Sequence, residues 1–378
     1  MVQYGKGQVS DREDILDFGN YVFSQAHQPH DFKKLVPKLY GEDSHTEQYH
    51  YLAKEDGKIK AMICALPGRL VVAGQELKTS GIGTVSVHPY ARGKGYMKKL
   101  MAMAEEEMKA QGCDMGVLSG QRQRYGYFGY EKAGVEVSFL VTATNLRHCC
   151  REESEKTFRF APLEEASPFL EQAYELYQSL PVCGARPKAE FCTILRSWQS
   201  EPLAVLKDGD FAGYLTLGQG GALAECELIN PDDYIWVLQA LMREKNLQEF
   251  HVLAAAYDTR KISRLLRFCE RYTIETSDIF RIFHYQRVLS AYLALKNQVA
   301  PLYDGSLVVA IEGEQPLKIS VAGGATSVCP TKEAPQVKLT AMEAVPFFFS
   351  PIDARRLQEP VPAGWLPLPL FLPKPDCC

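Results

Sequence analysis

A strand, an X-Pro step, a helix and a second strand occur in that order twice in this chain, about 140 residues apart. In the first copy "TVSVHP" (84–89) leads through "ARGKG" into an amphipathic helix that ends near Gly112, and "CDMGVLSG" (113–120) reads as a buried strand. In the second, "ECELINP" (225–231) leads into "DYIWVLQALMREKN", and "FHVLAA" (250–255) stands where the buried strand stood. A unit repeated at this distance implies a duplicated domain. The chain has 378 residues, and its length alone calls for about two to three domains.

The segments around each copy fit that division. Residues 11–26 place Ile15, Leu16, Phe18, Tyr21 and Val22 at helical spacing behind an acidic first turn. Strand-like runs follow over 49–89, with a hairpin signal at Asp56-Gly57. After "RYGYFGY", the alternating run "VEVSFLVTAT" (135–144) is expected to complete the first unit. "GQGG" (218–221) is a hairpin turn, because no helix follows it. From about residue 286 the pattern changes to one helix, "RVLSAYLALKN", and short strands in "GSLVVAIEG", "QPLKISVAGG" and "PQVKLTAMEA". The tail "EPVPAGWLPLPLFLPKPDCC" carries too much proline and large apolar surface for a free end, and is expected to pack against another domain. The fold class is α+β.

Charge and cysteine usage narrow the function. A net charge of −4 argues against nucleic acid as a partner. Eleven cysteines are scattered without matched CxxC pairs, so no metal site is expected. The odd count and the absence of an apolar leader suggest reduced thiols in a cytoplasm. No run is long enough to span a membrane.

The first copy of the repeat carries chemistry that the second lacks. A strand feeding a Gly-rich turn and a helix N-terminus makes an anion site, because the first N–H groups of the helix have no carbonyl partner. Arg92 and Lys94 add charge, and Gly93 and Gly95 permit close approach, so a pyrophosphate is the expected guest. In the second copy "DDYIW" replaces "ARGKG", and two carboxylates stand where the anion would bind.

Arg92-x-x-Gly95-x-Met97 and Tyr125-x-x-x-Gly129-Tyr130 together resemble the nucleotide-binding and catalytic elements of the GNAT acetyltransferases, with Met97 where that family has Gly or Ala. The duplication and the changed C-terminal pattern resemble more closely the Eis ("enhanced intracellular survival") family within it. That resemblance implies tandem GNAT-fold domains, residues 1–145 active and 146–285 degenerate. A unit like sterol carrier protein 2 would follow at 286–378, delivering the C-terminal carboxylate. It implies acetyl-CoA as co-substrate and a small-molecule primary amine as acceptor, polyamine-like, with aminoglycosides acetylated at several positions, in a hexameric homo-oligomer. By the same resemblance Val85, Ser86 and Val87 bind the pantetheine. Arg92, Gly93, Lys94, Gly95, Tyr96 and Met97 bind the pyrophosphate, and Gly120 and Gln121 flank the thioester. Tyr125 is the general acid and the carboxylate of Cys378 the general base. Tyr127 and Tyr130 read as aromatic core, His27 and His30 as solvated loop, and Asp376 as a charge available to a cationic acceptor. Two other readings remain open: a CoA- or lipid-holding scaffold without chemistry, and a protein-lysine acetyltransferase.

Overall fold

The structure, a computed structural model, describes residues 1–26, 29–150 and 157–378; His27 lies outside the described residues. The chain opens with β1 (Val2–Lys6), α1 (Arg12–Ala26) and two single helical turns, α2 (Phe32–Leu35) and α3 (Pro37–Tyr40). An antiparallel meander follows in β2 (His50–Glu55), β3 (Lys58–Val72) and β4 (Gln75–Val87), with Asp56-Gly57 as its first turn. Then come α4 (Tyr96–Ala110), β5 (Met115–Leu118), α5 (Arg122–Tyr125) and β6 (Glu131–Ala133). α4 forms because Leu100, Met101, Ala104 and Met108 recur on one face, and that face covers the sheet.

The middle of the chain comprises β7 (Glu136–Thr142), α6 (Ala143–Cys149), β8 (Phe158–Pro162), α7 (Leu170–Gln178), β9 (Val182–Gly184) and α8 (Phe191–Leu195). It continues with β10 (Glu201–Lys207), β11 (Asp210–Leu217), β12 (Ala222–Leu228), α9 (Tyr234–Lys245), β13 (Glu249–Ala255), α10 (Thr259–Leu265), β14 (Arg271–Glu275) and β15 (Asp278–Ile282). The last part holds α11 (Tyr285–Val299), β16 (Gly305–Ile311), β17 (Leu317–Ala322), β18 (Ala325–Pro330), β19 (Val337–Leu339) and α12 (Ala341–Phe349). No described helix is long and apolar enough to cross a membrane.

The repeat is visible as topology. β4 runs parallel to β5 across α4, and β12 runs parallel to β13 across α9, each at the end of an antiparallel meander. The first sheet has the order β1-β2-β3-β4-β5-β15-β6, with β9 also on β3, and the second β14-β7-β13-β12-β11-β10-β8. One expectation is corrected here. The run "VEVSFLVTAT" does not complete the first sheet: β7 pairs with β13 and β14 in the second. Its place beside β5 is taken by β15, which comes from beyond the second repeat. The two sheets therefore exchange strands, and no cut near residue 145 separates them. β7 presents Val137, Phe139 and Val141 to the second core, next to Phe250 and Val252, so the alternation that marks it as a strand also fixes the sheet it enters.

The third sheet, β18-β17-β16-β19, does not stand apart. Its inner residues Leu307, Val309 and Ile319 share one core with α11, with Leu70 and Val117 of the first sheet, and with the tail residues Trp365, Leu368, Leu370 and Leu372. The tail is packed as its composition requires. Each such side chain contributes about 1.5–3 kcal/mol when buried. Two local readings change: β18 was not expected, and "PQVKLTAMEA" gives only three strand residues before Thr340 and Glu343 cap α12.

Candidate active site

The site begins where β4 and β5 stop pairing. Their parallel ladder runs from Thr79↔Met115 to Ile82↔Leu118 and no further. β4 continues to Val87 on β3 alone. A bulge lies at that point, where the β3–β4 register shifts between Met62 and Cys64 and Thr84 takes φ +48°. A buried chain holds the bulge. The Thr84 hydroxyl donates to the Tyr40 oxygen at 2.6 Å, the Tyr40 hydroxyl donates to His50 Nε2 at 2.9 Å, and His50 Nδ1 donates to the Thr46 carbonyl at 3.0 Å. This direction follows from His50 being neutral, since burial pulls its pKa down to about 4.

A cavity of about 990 Å³ fills the wedge between the parted strands. Among the expected site residues it brings together Val85, Val87, Arg92, Met97, Gly120, Gln121, Tyr125 and Cys378. Tyr125 is buried, and its ring lies against Gly120, where a Cβ would stand 2.6 Å from ring carbon Cε2. Burial pushes the Tyr125 hydroxyl's pKa up, partly offset by the neighbouring Arg124 guanidinium.

The turn expected to hold an anion is built from residues that tolerate its shape. Gly93 and Gly95 take φ of +82° and +80°, and a Cβ at either would meet nothing. Gly95 is the N-cap of α4 and offers no side chain, so the first helical N–H groups stay open. Ser86, Gly93, Lys94, Gly95 and Tyr96 do not line the cavity. Ser86 is buried and donates to the Thr84 carbonyl, while Lys94 pairs with Glu55 at 2.9 Å and Tyr96 bonds the same carboxylate. At the start of α9 the equivalent position is filled: Asn230 caps Asp232, and Asp233 holds Lys207 at 2.5 Å.

The tail enters this wedge from the far side. Cys378 packs on Gly81 and Gly83 of β4, where an added Cβ would come within 2.7 Å of its Sγ and its Cβ respectively. Five contacts fix the approach. Lys38 Nζ donates to the carbonyls of Pro375 and Cys377 at 2.5 and 2.6 Å. Lys374 Nζ pairs with Glu136 at 3.0 Å and donates to the Ser277 carbonyl. Asp376 pairs with Arg186 at 2.8 Å, and Arg186 is fully buried with Glu225 as its second partner. Asp376 is thus already engaged and does not offer a free charge to an acceptor.

Sequence reasoning missed the rest of the wall. Phe32 and Val36 reach it from the α2 region, and Ser197 and Trp198 from the loop before β10. Trp198 and Gln199 hold φ of +62° and +57°, which nothing in their residue types signals. Tyr130 is core, as expected, but Tyr127 is exposed under Lys98, whose Nζ lies 4.2 Å from the ring centroid. His30 is not a free loop residue: its ring packs against Phe23 and Phe32.

A parted pair of parallel strands, a glycine turn at a helix start and a buried tyrosine beside the gap thus meet around one cavity. Residues 3–133 match the family described as "Acetyltransferase (GNAT) domain". The chain carries that domain and is an acyltransferase of the N-acetyltransferase type. No curated protein sequence matches the chain. Among solved structures, it is similar to a probable N-acyltransferase from Enterococcus faecalis V583, with TM-score 0.68 and 16% identity over 95% of this chain and 92% of that one. A GCN5-related N-acetyltransferase from Anabaena variabilis ATCC 29413 gives TM-score 0.66 and 16% identity at the same coverage. Eis1 from Mycobacterium abscessus gives TM-score 0.60 and 13% identity, again over 95% and 92%. These likenesses show a shared fold over nearly the whole chain.

Proposed function

We propose that this protein moves an acetyl group from acetyl-CoA directly to a primary amine, in an Eis-like organisation. The unit built on β1–β6 and completed by β15 carries the reaction, the unit built on β7, β8 and β10–β14 is a copy without the anion turn, and 286–378 form a unit like sterol carrier protein 2 that brings the tail to the site. The observation that carries the reading is the wedge itself. Backbone groups of Val85–Val87 face no strand on the β5 side, so a pantetheine arm can add there as a pseudo-strand. Its pyrophosphate then reaches Arg92 and the open N–H groups at Gly95–Met97.

The amine nitrogen attacks the thioester carbonyl, the C–S bond breaks, and the CoA thiolate takes a proton. Tyr125 is the donor: its phenol is the acid beside Gly120 and Gln121, and such assistance is typically worth about 10²–10⁴ in rate. The terminal carboxylate of Cys378 takes the proton that the amine loses.

Thiol release from acetyl-CoA, measured over a panel of primary amines with untagged protein, tests this. Tyr125→Phe is expected to lower kcat by about 10²–10⁴ with CoA affinity little changed. Extending the chain past Cys378 with a tag is expected to abolish turnover. CoA binding without thiol release on any amine would overturn the reaction. Near-wild-type kcat in Tyr125→Phe would remove the tyrosine from it, and an active tagged enzyme would remove the carboxylate.

A further inference from the structure

We infer that the acceptor is a primary amine on an apolar or aromatic body, seated between the α2 region and the Ser197–Ser200 loop; this rests on the amine-transfer reading above. The part of the wedge cavity that the CoA arm does not need is walled by Phe23, Phe32, Val36, Leu39 and Trp198. Among the described residues no Asp or Glu side chain lines this cavity, while Arg92, Arg124 and Lys374 do. Arg92 and Arg124 stand on the side given to the phosphates and the thioester, and Lys374 is held by Glu136 and Asp278.

A polycation, as the family resemblance implies, would find little here. One ammonium could rest on an aromatic face. Its other charges would lose their water with only the terminal carboxylate of Cys378, already engaged as the base, to answer them. A monoamine meets the opposite balance. Only its reacting nitrogen is polar, and an apolar wall near fixed cations favours the uncharged amine, which is the form able to attack. The rest of the molecule replaces water against phenyl, indole and aliphatic surface. The hydroxyl of Ser197, buried in the same wall and without a hydrogen-bond partner among the described residues, is available to one further polar atom of the acceptor. Two neighbouring residues of this loop hold positive φ without being glycine, and such conformations persist where a site over-determines them.

A second cavity, of about 830 Å³, shares Cys378 as a wall and supplies the contrast. It is lined by Glu42, Asp43, Glu165, Glu190 and Asp376, with Lys38, Arg69 and Arg186 among them, and is the carboxylate-rich cavity of the two. Three of these are already paired, Glu42 with Lys33, Glu165 with Arg196 and Asp376 with Arg186.

The test compares 2-phenylethylamine with spermidine as acceptors for the full chain, by thiol release from acetyl-CoA. The expected result is a kcat/KM at least about tenfold higher for 2-phenylethylamine. Trp198→Ala is expected to remove most of that preference through KM, with CoA affinity unchanged. Trp198 is 43% exposed, so its loss leaves the core intact. Phe23→Asp, which adds a carboxylate to the wall, should shift the preference towards spermidine. Equal or better use of spermidine by the wild type, or a preference untouched by Trp198→Ala, would overturn the inference while leaving amine acetylation standing and pointing to the carboxylate-lined cavity. Thiol release with neither amine nor any other in the panel, despite bound CoA, would take down the reaction itself.

Discussion

Tyr125 can lie against the strand end because residue 120 has no side chain, and Cys378 can approach β4 because residues 81 and 83 have none. At Gly83 a methyl group would meet the Cβ of Cys378 at 2.7 Å and its carbonyl carbon at 3.3 Å, and both belong to a segment already held by Lys38, Lys374 and Arg186. Gly83→Ala is therefore expected to cost about 1–3 kcal/mol of stability and to depress acetyl transfer. Urea melts and thiol-release assays on one preparation check both; unchanged values would show that the tail yields freely. Tyr125, Arg92 and Met97 were legible because their spacing is local. Lys38, Arg186 and Trp198 were not, since each meets its partners only through contacts between distant parts of the chain. Asp376 reads from the sequence as a charge near the tail's end but not as half of an ion pair, because its partner lies 190 residues away.

At the scale of the element, the bend in β4 creates the site, and the Thr84–Tyr40–His50 chain holds the bend. His50 is buried and neutral, with its pKa drawn from 6.5 to about 4 by desolvation. Its sign is that of a group whose protonated form the fold rejects. Above pH 6.5 neither state binds the proton and nothing is lost. Between pH 6.5 and about 4 the unfolded chain binds it and the folded one does not, so stability falls with pH, by on the order of 3 kcal/mol across the window. Thermal melts of the wild type and His50→Gln over this range check the effect; the variant should lose that share of the acid sensitivity, and parallel curves would refute it. The sequence announced β4 and α4 within a residue or two, because hydrophobic period and the glycine turn are local. It did not announce the bulge, because Thr and Val suit a straight strand equally well.

At the scale of the molecule, the exchange of β7 and β15 ties the two sheets into one body. A fragment of residues 1–145 would lack β15 and expose Val137, Phe139 and Val141, which normally lie in the second core. Such a fragment is expected to aggregate or remain unfolded, while the full chain gives one cooperative melt. Circular dichroism and gel filtration decide between these, and a folded monomer would mean that β7 closes the first sheet when its own place is missing. The repeat was legible from its strand–Pro–helix–strand order. The exchange was not, because the alternating run at 135–144 satisfies either sheet and only long-range pairing chooses. The exchange also sets a timetable for the nascent chain. The anion turn leaves the ribosome early, yet β5 keeps a bare edge until nearly all of the second sheet has been made. The first sheet cannot finish before the second has emerged, so a stalled ribosome would hold an open, adhesive sheet with no competence to transfer anything.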